Sequence, residues 1–483
     1  MVIIMSFSEI IAVASIIPFM ALVGDMSLLQ QNVYLSQLYR VSGAASESNF
    51  VLLLGVCILI MLFISTIISM FTTWRLSIFA TKIGTEISDR LYSYYLNRGW
   101  LFHVYGSSAQ LTKKISYDTT RITNGVLVPL LQMNARISLA LFMSLTIFIY
   151  DPKVAMVGLT IFALAYFILY KNVKSRLQRN DKLISQVNEE RFRLMNEGFG
   201  GIKDVLLLGK AYEFIKLFKK TGSTLAYSQG TNAALATVPR YFMEFVAFGL
   251  MIILVIYLIA VHDNNIGMIL PILSVYALAG FKLLPAFQQI YASTATIRGN
   301  IAAFESIQQD LNNSLQKKLV DKKIDQNYLL PRKKISLNKI TFSYPSKSEL
   351  IFNNLDISIP ANSIIGLVGK SGSGKSTLID ILLGLIKPLK GELKVDNTVV
   401  NDNNLRSWQN TIGFVPQSIF LSEGTIAENV AFGIPQEEIN LEQVKQALQL
   451  AHLSELLKNL EKGMHTRVEE RGVELSDGQR QRI

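Results

Sequence analysis

Cysteine is almost missing from this sequence: Cys57 is the only one in 483 residues. A lone thiol excludes a disulfide framework and any cysteine-built metal site. Charge is thin as well. Only 17% of residues are charged, half are hydrophobic, and the mean hydropathy is +0.32. A chain this long and this apolar is neither a single domain nor an ordinary soluble protein. The first apolar run opens at the third residue, so the expectation for the sequence as given is neither a signal peptide nor a leading charged or amphipathic segment.

What is present is a series of apolar runs at 3–23, 50–74, 126–150, 154–170, 245–261 and 266–281. Most approach the roughly 20 residues that a membrane-spanning helix needs. Phe50–Trp74 carries no charge at all. The connections differ in what they lack. Gly24–Asn49 has Arg40 as its one basic residue, and His262–Asn265 has neither Lys nor Arg. Arg75–Gly125 holds Arg75, Lys82, Arg90, Arg98, Lys113, Lys114 and Arg121, and the connection from Lys171 to Arg240 carries many more, including Lys171, Lys174, Arg176, Arg179, Lys182, Arg191 and Arg193. This asymmetry places the second and fourth connections, and everything after Lys282, on the cytoplasmic side. It accounts for the net charge of +11 without nucleic acid. The two basic connections read as helix continuing beyond the bilayer. Trp100–Gln110 and Leu207–Phe218 are short amphipathic pieces near their far ends.

Asn300–Arg332 is polar and predicts a helix tail followed by a linker. From Lys334 the pattern is that of an α/β domain, with strands expected at Ile335–Phe342, Leu355–Ile359, Gly391–Val395 and Thr411–Val415. Within it, Gly369-Lys370-Ser371-Gly372-Ser373-Gly374-Lys375-Ser376-Thr377 fits G-x-x-x-x-G-K-[ST] with no mismatch. The apolar run Ser363–Val368 before it predicts a buried strand, and Leu378–Leu383 after it predicts a helix. Glycines let backbone N–H groups turn in around a phosphate, and the helix N-terminus adds partial positive charge. Lys375 then reaches the β- and γ-phosphates, and Ser376 offers its hydroxyl to Mg²⁺.

Further along, Gln417 closes Val415-Pro416-Gln417, and Leu475-Ser476-Asp477-Gly478-Gln479 precedes Arg480-Gln481-Arg482. The latter resembles the signature of ATP-binding-cassette (ABC) proteins, and Glu470-Arg471-Gly472 just upstream resembles the exporters among them. Six spans followed by one nucleotide domain resemble a type I ABC exporter half-transporter, here with domains at 1–300 and 335–483 joined by a linker at 301–334. Within that family the chain is similar to bacterial lipid-linked oligosaccharide flippases. The residues that carry this are Ser6 to Glu9 and Ile17 to Phe19, Val238 to Tyr241 with Glu244, and Lys282 to Pro285.

The resemblance implies a fold of six long transmembrane helices plus an α/β P-loop domain, and an ATPase-coupled translocase. Gly369 through Thr377 hold the phosphates of ATP, Ser376 and Gln417 hold Mg²⁺, and Tyr344 stacks on adenine. By itself Tyr344 also fits an ordinary strand-end tyrosine. Ser476, Gly478 and Gln479 meet ATP bound to a second copy or a homologous half-transporter, so the working unit is a dimer. Trp100–Gln110 and Leu207–Phe218 become coupling helices, the second seated partly on the partner's nucleotide domain. The implied location is the bacterial inner membrane, with the nucleotide domain cytoplasmic and membrane lipid around the spans.

Two departures stand out. Asp477 occupies a position where the family most often has glycine, and an outward-pointing side chain is expected. The family's acidic strand motif, catalytic glutamate and switch histidine would follow Ile483, and His452 and His465 lie too early to be that histidine. The expectation is a fragment cut at both ends, binding ATP poorly and hydrolysing it inefficiently as it stands. Three charges interrupt the spans: Glu9, Arg136 and Lys282. Intramembrane charges are costly and face a cavity or a partner. Arg136 and Lys282 are candidates for attracting an anionic head group in a central cavity, against the alternative of snorkelling or pairing with Glu9. A lipid or multidrug exporter of the same architecture, or an ATP-switched regulator that transports nothing, are the competing readings.

Overall fold

The computed structural model describes residues 1–24, 26–27, 29, 33–150, 152–261, 266–316, 327–345, 349–417, 419–468 and 475–483. Glu470-Arg471-Gly472, the His262–Asn265 connection and residues 317–326 of the expected linker lie outside them. Two compact units emerge, Met1–Asp321 and Lys322–Ile483.

Every described element of the first unit is a helix. Its elements are Val2–Ala14, Ile16–Gly24, Val33–Ser42, Glu47–Leu96, Trp100–Tyr105, Ser108–Thr112, Thr119–Ile122, Val128–Tyr150, Pro152–Gly200, Ile202–Leu207, Ala211–Thr237, Pro239–Val261, Ile266–Arg298 and Ile301–Gln316. Among the described residues, the segments Val2–Gly24, Glu47–Leu96, Ser108–Ile149, Ala155–Gly200 and Ala211–Tyr257 are long and apolar enough to cross a membrane. Glu47–Leu96 runs for 50 residues, about 75 Å at 1.5 Å per residue. It therefore continues far past a hydrocarbon core of about 30 Å. Leu52, Phe63 and Met70 on it are more than 60% exposed, the apolar-outward arrangement that lipid stabilises and water does not. The first segment breaks after Ala14, where Pro18 has no N–H to donate to the Ala14 carbonyl.

Val128–Tyr150 packs along Ile266–Arg298, and Val2–Ala14 packs against both Glu47–Leu96 and Val128–Tyr150. Between Ser108 and Tyr150 the helix contains two π-turns, Lys113–Asp118 and Thr123–Leu127. The wider turn brings positions five apart together: the Lys113 ammonium lies 3.3 Å from the Asp118 carboxylate, and both are buried. π-turns of this kind are concentrated at functional positions. The same region fixes Ile301–Gln316. Ser306 donates to Asp118 at 2.8 Å, Lys114 and Tyr95 both donate to Asp310 at 2.7 Å, and the Ala302 N–H donates to Asp181 at 2.7 Å. Leu91, Tyr94, Tyr95, Ile122, Ala303 and Ile307 make the apolar core beneath these bonds.

The second short amphipathic piece differs from expectation. Its helix is Ile202–Leu207, and most of Leu207–Phe218 belongs to the long Ala211–Thr237 helix instead. The cause is local. Gly209 takes φ +63°, and Lys210 N–H reaches back to the Val205 carbonyl at 2.8 Å. This is a Schellman stop, which glycine permits at no steric cost. Leu206, Leu207 and Leu208 are left exposed around it.

In the second unit, β1 (Lys334–Phe342), β2 (Phe352–Pro360), β3 (Lys390–Val395) and β4 (Thr398–Val399) form an antiparallel sheet in the order β2-β1-β3-β4. Ile335 faces Ile359 on one side and Val395 on the other. A small ribbon, β5 (Gly424–Thr425) with β6 (Arg467–Val468), sits beside a helical core of Leu421, Ile426, Val444, Leu448 and Leu453. Two expected strands are corrected here. Ser363–Val368 and Thr411–Val415 are not strands: neither belongs to a ladder, and Val368 is fully exposed at 100% while Val415 is 65% exposed. Apolar composition favours a strand, but only a neighbouring chain segment completes one. Among the described residues none forms a ladder with either segment.

Candidate nucleotide-binding loop and intramembrane charge pair

The phosphate-binding loop is shaped by its glycines. Gly372 and Gly374 take φ of +81° and +89°, a region that side chains strongly disfavour. Gly374 is doubly constrained, because a Cβ there would come within 2.7 Å of Ile351. A Cβ on Gly369 would meet the Ser373 hydroxyl at 2.7 Å. The helix that follows, Lys375–Leu382, starts earlier than the apolar pattern alone suggests, with Gly374 as its N-cap. Its first backbone bond runs from Leu378 N–H to the Gly374 carbonyl at 2.9 Å. The N–H groups of Lys375, Ser376 and Thr377 therefore belong to the free first turn.

The Lys375 ammonium folds over the loop and donates to the carbonyls of Gly369 and Lys370, each at 2.8 Å. Ser371, Gly372 and Ser376 are exposed, and Thr377 is buried. The far end of the helix is tied down by Trp408, whose indole N–H donates to the Leu382 carbonyl at 2.8 Å. A cradle that tolerates no Cβ, lined by first-turn donors and one lysine, fits a nucleotide's phosphates.

The other expected site residues are placed as follows. Tyr344 is half-buried, its ring edge-on to Phe342 at 5.1 Å and its hydroxyl 3.0 Å from that of Thr377. It is thus joined directly to the loop's last residue. Gln417 sits on an exposed bend after the unpaired Thr411–Val415 segment. Ser476 caps the helix Asp477–Arg482 in a reciprocal box: its hydroxyl accepts from Gln479 N–H at 3.2 Å, and the Gln479 side chain accepts from Ser476 N–H at 2.9 Å. Gly478 lies in that helix's first turn. The Asp477 carboxylate is 98% exposed and 3.5 Å from Arg480.

In the helical unit, Lys282 lies 3.3 Å from Glu9, and the Ser69 hydroxyl donates to the other Glu9 oxygen at 2.8 Å. This is the interhelical pairing, and it joins three helices. Arg136 is half-buried, with no hydrogen bond or ion pair to another described residue. Sequence reasoning missed a second polar hub. Arg121 donates to Asp181 at 2.5 Å, to Ser185 at 3.0 Å and to Asn300 at 3.2 Å. No local pattern announces it, because its members lie 60 and 179 positions apart.

Comparison with known proteins agrees with this arrangement. A family model described as the ABC transporter transmembrane region matches residues 14–281, and one described as ABC transporter matches residues 352–483. An ATP-dependent lipid A-core flippase of Pseudoalteromonas atlantica is 26% identical over 85% of this chain and 69% of its own length. The protein of that name from Salmonella typhimurium is 23% identical over 86% of this chain and 70% of its own. A solved bacterial Atm1-family ABC exporter with ATP bound superposes with a TM-score of 0.78 at 17% identity, covering 100% of this chain and 81% of that one. Apolar helices long enough to cross a membrane, followed by a glycine-cradled phosphate loop inside the matched ABC transporter region, make this chain a multi-pass member of the ABC transporter family.

Proposed function

We propose that the protein is half of a dimeric exporter that uses ATP to move an amphipathic lipid with an anionic, sugar-bearing head across the bacterial inner membrane. The observation that carries the reading is the relatives matched over 85% of the chain, named lipid A-core flippases, joined to an intact phosphate loop. Domains at 1–300 and 335–483, with six spans, are part of the proposal, as is a cytoplasmic nucleotide unit, which the basic connections support.

In this reading the loop from Gly369 to Thr377 orients the triphosphate, Ser376 and Gln417 hold Mg²⁺, and Tyr344 takes the adenine face. A bound metal ion would neutralise phosphate charge. Ser476, Gly478 and Gln479 close on nucleotide held by the partner. Nucleotide binding that favours the closed dimer shifts the helices to an outward-open state, and hydrolysis resets them. Arg136 and Lys282 attract the anionic head group, arginine through its planar fork.

The test is reconstitution of the full-length gene product into vesicles with a fluorescent anionic lipid whose exposure is read by chemical quenching. ATP-dependent flipping that Lys375→Ala abolishes is expected. Flipping that persists in Lys375→Ala, or lipid-stimulated ATPase unchanged by joint neutralisation of Arg136 and Lys282, contradicts the reading. Stimulation by uncharged hydrophobic drugs rather than by anionic lipids favours a multidrug exporter.

A further inference from the structure

We propose that Glu9 is an internal competitor for the cargo's anionic group, occupying Lys282 until that group displaces it; this rests on the head-group reading above and deepens it.

The geometry is asymmetric. The Glu9 side chain is 6% exposed and that of Lys282 is 35% exposed. The carboxylate is fixed from behind by the Ser69 hydroxyl at 2.8 Å. The ammonium carries three donors, of which one is directed at Glu9, at 3.3 Å. The cation therefore keeps an open face while its counter-ion is held in place. Such a pair is poised for exchange: an incoming phosphate oxygen can take the ammonium without first displacing several bonds.

A second cation stands on the adjoining helix. Arg136 lies on Val128–Tyr150 between the Gln132 contact to Gln289, at 3.2 Å, and the packing of Leu139 and Ala140 on Ala286. Gln132, Leu139 and Ala140 thereby contact the helix that carries Lys282. In the head-group reading both cations serve one anion, and two positive charges against one carboxylate favour an anion bearing more than one charge. Displacing Glu9 leaves it with Ser69 alone and loosens the first span from Ile266–Arg298. Binding energy spent on that separation is subtracted from apparent affinity, and removal of the competitor returns it.

The opposite role, a clasp that merely holds the helices together, makes the reverse prediction, so the two are separable. The experiment is equilibrium binding to the chain in phosphatidylcholine nanodiscs. The probe is geranylgeranyl pyrophosphate, with uncharged geranylgeraniol and inorganic pyrophosphate as parallel arms. Glu9→Gln is expected to tighten binding by about five-fold or more. Ser69→Ala, which leaves Glu9 more dependent on Lys282, is expected to weaken it, and Lys282→Gln to abolish it. Geranylgeraniol should respond to none of these. If only the prenylated probe follows this order, the recognised anion is a lipid head group. If inorganic pyrophosphate follows it too, the site reads the free anion, and the competition stands in either case. Binding that is unchanged or weakened in Glu9→Gln, while Lys282→Gln still abolishes it, overturns the competition and leaves the head-group reading intact. Binding by the unaltered chain that ignores Lys282→Gln, or no binding at all, overturns both.

Discussion

Lys375 reaches back to the Gly369 carbonyl at 2.8 Å, so the loop's only lysine beyond Lys370 both closes it and supplies its charge. Replacing it removes both loop donations, to Gly369 and Lys370, and with them the charged donor proposed for the phosphates, a contact worth about 1.5–3 kcal/mol. Lys375→Ala should lower affinity for ATP by about 10-fold or more, measured with a fluorescent ATP analogue. Unchanged affinity would show that the cradle's backbone alone holds the phosphates.

Gly84, on the long Glu47–Leu96 helix, permits a close approach to the second π-turn. A Cβ at Gly84 would collide with the Thr123 side chain. Overpacking of this kind costs about 1–3 kcal/mol. Gly84→Ala should therefore lower the melting temperature in detergent, and adding Thr123→Ala should restore part of the loss. An unshifted melting temperature would mean that the two helices separate freely at this point.

Trp408 is buried and gives its indole N–H to Leu382. Large-to-small replacement of a buried aromatic costs about 3–5 kcal/mol. Trp408→Ala should unfold the nucleotide unit at lower denaturant concentration. Trp408→Phe should cost about 1 kcal/mol through the lost hydrogen bond. Equal losses in the two variants would show that packing contributes little.

Asp396 accepts N–H bonds from Arg332, Lys333 and Lys334 at 3.0, 2.7 and 2.8 Å. These three donors, the Arg332 N–H foremost, hold its carboxyl below the usual carboxylate range. A depressed folded value means that the stabilisation is present above the unfolded value of about 3.9. It is lost as pH falls through the folded one. As pH falls below about 4 the nucleotide unit should lose stability faster than Asp396→Asn does, followed by hydrogen exchange at residues 332–334. Parallel acid curves would rule out the linkage.

Legibility followed the range of the forces involved. The glycine loop was readable because its φ requirements, at Gly372 and Gly374, are properties of single residues. The helices were readable because a charge-free run such as Phe50–Trp74 has no soluble alternative. Ser363–Val368 and Thr411–Val415 were misread as strands because a ladder is a property of two segments, and their own composition says nothing of a neighbour. Leu207–Phe218 was misplaced because one left-handed residue, Gly209, moves a helix boundary that the apolar pattern leaves open. The Arg121–Asp181–Asn300 hub was invisible for want of any local spacing.

The sequence alone determined that this chain crosses a membrane and carries a phosphate loop, since hydropathy, the sign of loop charge and the glycine spacing act within a few residues of one another. Tertiary structure alone decided that Lys282 meets Glu9, that Tyr344 meets Thr377, and that Lys113 meets Asp118 inside a π-turn. Partners separated by 273 and 33 positions are chosen by helix packing and chain crossing, and so is the local winding that pairs residues five apart. No residue states those outcomes by itself.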